Sequence, residues 1–225
     1  MLPLAGGCGG PQSTLDPAGP AAGAIATSWW LMATGALAAW SIVLVLAALA
    51  MRRRRRLAPA SGRRLILAGG VLLPSTLLVA LLVYGTLASD EITGERAQAG
   101  QVVRVTARQW QWEFEYLARD GTAQAASVDH LAMPLGTMVE FHVRSEDVIH
   151  SFWIPRLGGK IDAIPGRSNV LRLRADRAGP MRGQCAEFCG LEHAVMAFEV
   201  SVLEPDAYAR WLRDHAINDV SGAGR

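Results

Sequence analysis

Two stretches in the first half of the chain carry no charged side chain. The first runs over 17–51, with its most apolar part at 29–51, and the second runs over 65–89. Each exceeds the roughly 20 residues that a helix needs to cross the hydrocarbon of a bilayer. A buried helix of a soluble protein rarely stays free of charge for so long, so the pattern predicts two transmembrane spans, at about 28–51 and 65–89. Trp29 and Trp30 suit the membrane–water interface at the start of the first span. Pro74 falls inside the second and is expected to kink it, which a membrane setting tolerates. From Gln101 the pattern changes to short runs of period two. Residues 101–117 alternate most cleanly from Gln109 onward, where Trp110, Trp112, Phe114 and Tyr116 share one parity. Further strands are predicted at 137–144, 169–175 and 197–203, separated by Gly/Pro/Asp clusters such as 157–167. Several short strands between turn signals predict a β-sandwich or Greek-key barrel. A short closing helix is expected over 205–216, with Pro205 near its start.

Charge adds an orientation. The chain has 225 residues, 51% of them hydrophobic, and a net charge of +2. The basic excess is local: five arginines at 52–56, with Arg63 and Arg64, fill the linker between the two spans. From Asp90 onward acidic residues outnumber basic ones, 19 to 15. An arginine-rich loop between two spans stays cytoplasmic, which puts both termini on the outer face, the periplasm in a bacterium. Contact with anionic lipid is a further expectation for that loop. Nucleic acid is not an expected partner, because no aromatic-rich basic face accompanies the arginines. The expected organisation is an N-terminal tether at 1–27, a helical hairpin at 28–89 with its loop at 52–64, a β domain at 90–216 and a tail at 217–225. There are only three cysteines, too few for a disulfide-stapled scaffold. Cys8, in LAGGC, resembles the lipidated residue at the end of a lipoprotein signal, yet only seven residues precede it. The two readings are a lipid anchor at Cys8 with a start further upstream, and an ordinary thiol.

The candidate chemistry lies in a run of twelve residues that holds Cys185, Glu187, Cys189, His193 and Met196; His150 stands 35 positions before Cys185. Thiolate and thioether are soft donors that select copper, and imidazole suits it as well. Two His, one Cys and one Met on a β-sandwich describe a single-copper site, and the second Cys supplies enough donors for two metals. Two bridging thiolates can share one electron between two coppers, limiting geometric change on reduction. Three plainer readings compete. A structural zinc site would use His150, Cys185, Cys189 and His193 and leave Met196 without a role. A Cys185–Cys189 disulfide would leave both histidines without one. A lone Met is otherwise core filler, and a lone His a surface or core residue.

The segments DVIHSFWIP (147–155), KIDAIPGR (160–167) and GQCAEFCGLEHAVM (183–196) resemble those of cytochrome c oxidase subunit II, the copper-carrying subunit of bacterial haem–copper oxidases. The resemblance implies a cupredoxin-like barrel behind a two-helix transmembrane hairpin. It implies one copper on His150, Cys185, Cys189 and Met196, and another on Cys185, Cys189, His193 and the carbonyl of Glu187. The Glu187 side chain would reach a magnesium or manganese ion at the interface with subunit I. Trp110, in QWQWEFEY (109–116), would receive electrons beneath a docked cytochrome c, while plain alternation puts it in the core beside Trp112. Glu115, Glu146 and Asp147 are candidates for steering the donor, or else solvated surface groups. Expected partners are subunit I, subunit III, cytochrome c and membrane lipid, in the inner membrane of a bacterium. Leu67 stands where many members carry a glutamate linked to proton uptake, so that route is not expected through this residue. Residues 117–134 are shorter than in mitochondrial relatives, so a different docking surface is expected. No Cys-x-x-Cys-His occurs, so no fused haem c segment is expected within the sequence. Two other functions fit parts of the pattern: the structural subunit II of a quinol oxidase, which lacks the copper ligands, and a copper-delivery or zinc-stabilised binding protein.

Overall fold

A computed structural model describes residues 9–53 and 59–217. The Cys8 reading, arginines 54–56 and most of the expected tail lie outside the described residues. The chain divides into two compact units, Thr27–Ser89 on one side and the segment up to Ala26 with Asp90 onward on the other.

The first unit is helical. Helix α1 covers Pro20–Arg53, α2 covers Pro59–Leu67 and α3 covers Leu73–Thr93. A π-helical turn, Ala68–Leu72, joins α2 to α3 without a break. The two runs long and apolar enough to cross a membrane are Pro20–Arg52 and Ser61–Thr93. Their large side chains, Trp40, Ile42, Leu78 and Leu82 among them, are exposed, as lipid-facing residues are in the bare protein. The sequence predicts a kink at Pro74; the structure places a π turn immediately before it. Proline cannot donate to the carbonyl four residues back, and a wider turn absorbs the missing bond.

The second unit is a sandwich of two five-stranded sheets. One has the order β3-β2-β1-β5-β8 and the other β4-β10-β9-β6-β7. The strands are β1 Gln101–Arg108, β2 Gln111–Leu117, β3 Ala123–Val128, β4 His130–Pro134, β5 Met138–Ser145, β6 His150–Trp153, β7 Ile161–Ala163, β8 Asn169–Arg174, β9 Gly179–Cys185 and β10 Ala197–Leu203. β1 runs parallel to β5 and β4 parallel to β10; the other pairs are antiparallel. Helix α4, Pro205–Asp214, closes the unit by packing Tyr208 and Trp211 on Tyr116.

Two differences from the sequence reading bear on the site. The run 101–117 is a hairpin rather than one strand: Arg108 pairs with Gln111, and Gln109 and Trp110 make the turn. Inward positions are odd before the turn (Val103, Val105, Ala107) and even after it (Trp112, Phe114, Tyr116), and all six are fully buried. No Gly, Pro or Asn marks the turn, so periodicity alone runs through it. The second difference is the N-terminal segment. Expected as a tether, residues 9–26 instead pack on the sandwich, with Ala18, Ala21, Ala22 and Ala26 buried.

The core beneath the site is aromatic. Phe152 stacks on Phe198 with centroids 5.1 Å apart and planes 5° from parallel, and Trp112 meets both edge-on. Gly183 makes room for that stack, since a Cβ there would lie 2.0 Å from the Phe198 ring.

Candidate metal centre

The β9–β6 pairing builds the site. Phe152 is opposite Cys185 in register, which sets the first residue of β6, His150, beside the last residue of β9. The loop from Cys185 to Met196 is closed at its base by Cys185 N–H donating to the Met196 carbonyl, 2.9 Å, and held to β6 by Ala186 N–H donating to the Ser151 carbonyl, 2.9 Å. A 3-10 turn at His193–Val195 turns His193 back towards the cysteines.

Five candidate ligand side chains converge. The two sulfurs lie 3.8 Å apart as free thiols, well beyond disulfide bonding distance. His150 Nδ1 is 3.9 Å from Cys185 Sγ, and His193 Nδ1 is 3.6 Å from Cys189 Sγ. Met196 Sδ is 3.7 Å from Cys189 Sγ, and the Glu187 carbonyl is 3.2 Å from Cys185 Sγ. The ligand atoms of His150, Cys185 and Cys189 all lie within 4.8 Å of one another. All but His193 among these five side chains are buried. Such a set of soft sulfur and imidazole donors around two shared thiols fits copper. Burial, and then the neighbouring Cys185 thiol, push the Cys189 thiol up to about 12. Without a cation to replace its proton, the Cys189 thiol resists ionising; metal uptake therefore releases a proton there.

Asp147 has a role the sequence reading did not give it. Its Oδ1 accepts from His150 Nε2 at 2.8 Å and from Val148 N–H at 2.6 Å, and its Oδ2 accepts from Gln109 N–H at 2.6 Å. Partial burial opposes ionisation, but these donors, His150 first, hold the carboxyl below the usual range. The bond to Nε2 leaves Nδ1 as the lone-pair nitrogen facing Cys185, the tautomer a metal ligand requires. The spacing Asp-x-x-His was the available signal. Of the other two proposed steering carboxylates, Glu115 is paired with Arg104 and Glu146 with Arg108, both at 2.8 Å. Arg108 also pairs with Glu113 at 3.2 Å, so one guanidinium serves two carboxylates there and a net negative charge remains beside Glu146, while Glu115 is matched one to one.

Trp110 sits in the β1–β2 turn, half-buried and outside the strand alternation. Its Nε1 donates to the Cys189 carbonyl at 3.3 Å, and Gln109 Nε2 donates to the same oxygen at 2.7 Å. Gly190 allows this approach: at its φ of +122° a Cβ would lie 3.0 Å from Gln109 Nε2 and 3.2 Å from the Trp110 ring. The Glu187 carboxylate is exposed and lies 3.7 Å from Lys160 Nζ, which also pairs with Asp162 at 3.1 Å.

Residues 117–203 match the family model "Cytochrome C oxidase subunit II, periplasmic domain". Cytochrome c oxidase subunit 2 of Alkalihalophilus pseudofirmus is 39% identical over 146 residues, 63% of this chain and 42% of that one. The subunit 2 of Branchiostoma floridae is 30% identical over 157 residues, 62% of this chain and 68% of that one. The crystal structure of the periplasmic domain of subunit II of the Bradyrhizobium japonicum cytochrome oxidase is 33% identical, covers 52% of this chain and 94% of that one, and has a TM-score of 0.46. The chain spans between 42% and 68% of the length of the two relatives compared in sequence.

Proposed function

The chain belongs to the cytochrome c oxidase subunit II family, a subunit of an oxidoreductase, and from that premise we propose that it receives electrons from cytochrome c at a two-copper centre and passes them to the haem of subunit I. The family implies a membrane-anchored, copper-binding subunit. The observation that carries the finer reading is the convergence of both thiols on both imidazoles, the thioether and the Glu187 carbonyl.

In this reading Cys185 and Cys189 would hold both metals, with His150 and Met196 as further ligands of one and His193 and the Glu187 carbonyl as further ligands of the other. When bound, such a copper pair supplies a one-electron carrier whose charge is spread over two metals and two sulfurs. Asp147 holds His150 in the ligating tautomer. The aromatic core stops the β6 and β9 ends from shifting as charge changes, so little reorganisation accompanies transfer. Trp110 lies between solvent and the Cys189 backbone, which suits it to receive the electron. The Glu187 side chain would hold a magnesium or manganese ion against subunit I. The two spans anchor the chain to subunits I and III in a bacterial inner membrane, with the copper domain on the periplasmic side. Oxygen reduction to water, coupled to proton pumping, belongs to the whole complex.

Metal analysis and EPR of the purified chain test the reading. Two coppers per chain with a mixed-valence signal are expected; zinc, or no metal, sinks it and favours the zinc-stabilised or copper-free alternatives. Asp147→Asn separates tautomer control from folding. An amide cannot accept on both oxygens, so it loses at least one of its donors. Copper affinity should fall about 10–100-fold, the usual cost of a lost ligand-orienting partner, while the far-UV circular dichroism spectrum is unchanged. Competition against a cuprous chelator reads this. Trp110→Ala should slow electron uptake from cytochrome c with the copper content intact; an unaltered rate would remove Trp110 from the path.

A further inference from the structure

The N-terminal segment lies on the sandwich as a strap. Asp16 is paired with Arg156 at 2.7 Å and with Arg177 at 2.5 Å. Ala18 N–H donates to the Arg156 carbonyl at 2.8 Å, and the Ala18 carbonyl accepts from Asp176 N–H at 2.7 Å. Gly19 passes so close that a Cβ would lie 2.2 Å from the Arg174 carbonyl oxygen. Nearer its start the strap reaches the metal loop. The Pro11 carbonyl accepts from Arg182 N–H at 3.1 Å, and Gln12 Nε2 donates to Gln184 Oε1 at 2.7 Å. Gln184 directly precedes Cys185 and pairs with Ala197, the residue after Met196.

Between strap and loop is a hollow of about 310 Å³. Gln12, Arg182 and Gln184 line it together with Cys185, His193 and Met196. The flank around Cys189 is covered differently, by Gln109 and Trp110 on its carbonyl, and His150 is fully buried. Of the sulfur donors, Cys185 and Met196 line this hollow, and Gln12 walls it on the strap side. Two amides and a guanidinium suit a small charged visitor, and Arg182 has no carboxylate partner among the ion pairs of the described residues, which favours an anionic one.

We propose that this hollow is the copper-loading site, where a small anionic cuprous complex, a cuprous ion held by two simple thiolates, is received before the metal passes to Cys185 and Cys189, with Gln12 as the removable wall. The inference rests on the copper reading above. The step is ligand exchange with no change of oxidation state: each cysteine thiol that takes up the metal gives its proton to a departing carrier thiolate.

The test uses the full chain in detergent, stripped of metal and reduced. Cuprous ion is supplied with excess glutathione, and uptake is followed by stopped-flow absorbance. Gln12→Ala opens the wall and should raise the uptake rate on the order of fivefold, the weight of one hydrogen bond. Gln12→Trp fills the hollow and should slow uptake by at least as much. Final copper content should match the unaltered chain in both. Asp16→Ala, which frees the strap away from the hollow, should speed uptake as Gln12→Ala does, and it decides the matter if the tryptophan variant does not fold. Unchanged rates, or rates moving the same way in both Gln12 variants, overturn the proposal. A chain that holds no copper at saturation defeats the copper reading instead. Iodoacetamide alkylation of Cys185 and Cys189 in the stripped chain then still decides the hollow, being faster with Gln12→Ala and slower with Gln12→Trp if it is the route, and equal if it is not.

Discussion

Cys189→Ser is expected to remove the two-metal centre altogether, with the mixed-valence signal gone and at most one copper retained per chain. Cys189 Sγ is the hub of the donor set, within 4 Å of Cys185 Sγ, His193 Nδ1 and Met196 Sδ. A serine hydroxyl is a hard donor that stays protonated at neutral pH, so it replaces neither the softness nor the charge of a bridging thiolate. The loss should exceed the roughly 10–100-fold in affinity that removal of an orienting partner brings. Electron uptake from cytochrome c should fall to background, while the sandwich stays folded, because the sulfur contributes little to the aromatic core. Copper analysis, EPR and circular dichroism on one preparation read all three. A variant that keeps two coppers and its signal would show that Cys189 is not a bridge.

Trp112→Ala should have the largest effect on stability. Trp112 is fully buried and meets His150, Phe152 and Phe198 edge-on, at centroid distances of 6.1, 5.7 and 5.6 Å. Truncating a core aromatic to alanine costs about 3–5 kcal/mol, against a total of roughly 5–15 kcal/mol for a typical domain. Trp112→Phe should cost much less. It keeps the ring contacts and removes Nε1, a buried donor with no hydrogen-bond partner among the described residues. Because His150 rests against the indole, the alanine variant should also lower copper affinity in the molecules that stay folded. Chemical denaturation of the metal-free chain checks the first effect and chelator competition the second. Equal stability of the alanine and phenylalanine variants would contradict this account of the core.

The alternation 110–116 shows why the two residues Trp110 and Trp112 differ so much. Period two places both on one face, and that reading holds only from β2 onward. The turn at Gln109 and Trp110 exists because β1 and β2 both have inward faces to bury against one core, and burial outweighs local turn preference. The strap is similar. Its Pro/Gly/Ala composition reads as a tether, yet small residues are also what allows a chain to lie flat on a sheet edge, as Ala18 and Gly19 do. β3, β4, β6, β7 and β9 are short or irregular in polarity, and long-range pairing rather than propensity forms them.

What the sequence determined by itself is the chemistry and the membrane segments. Charge-free length sets the two spans, because a bilayer reads only length and polarity. The soft donors crowded into 185–196 point to copper as the proposed metal, because thiolate and thioether are ligand types that select it. The tertiary structure decided what depends on residues far apart in the chain. It turned Asp147 inward onto His150, paired Glu115 and Glu146 with arginines, lifted Trp110 out of the strand onto the Cys189 carbonyl, and laid Gln12 beside Gln184 across 172 positions. Only the first has a local pattern, Asp-x-x-His over three positions; the others arise when burial of the aromatic core brings separate segments together.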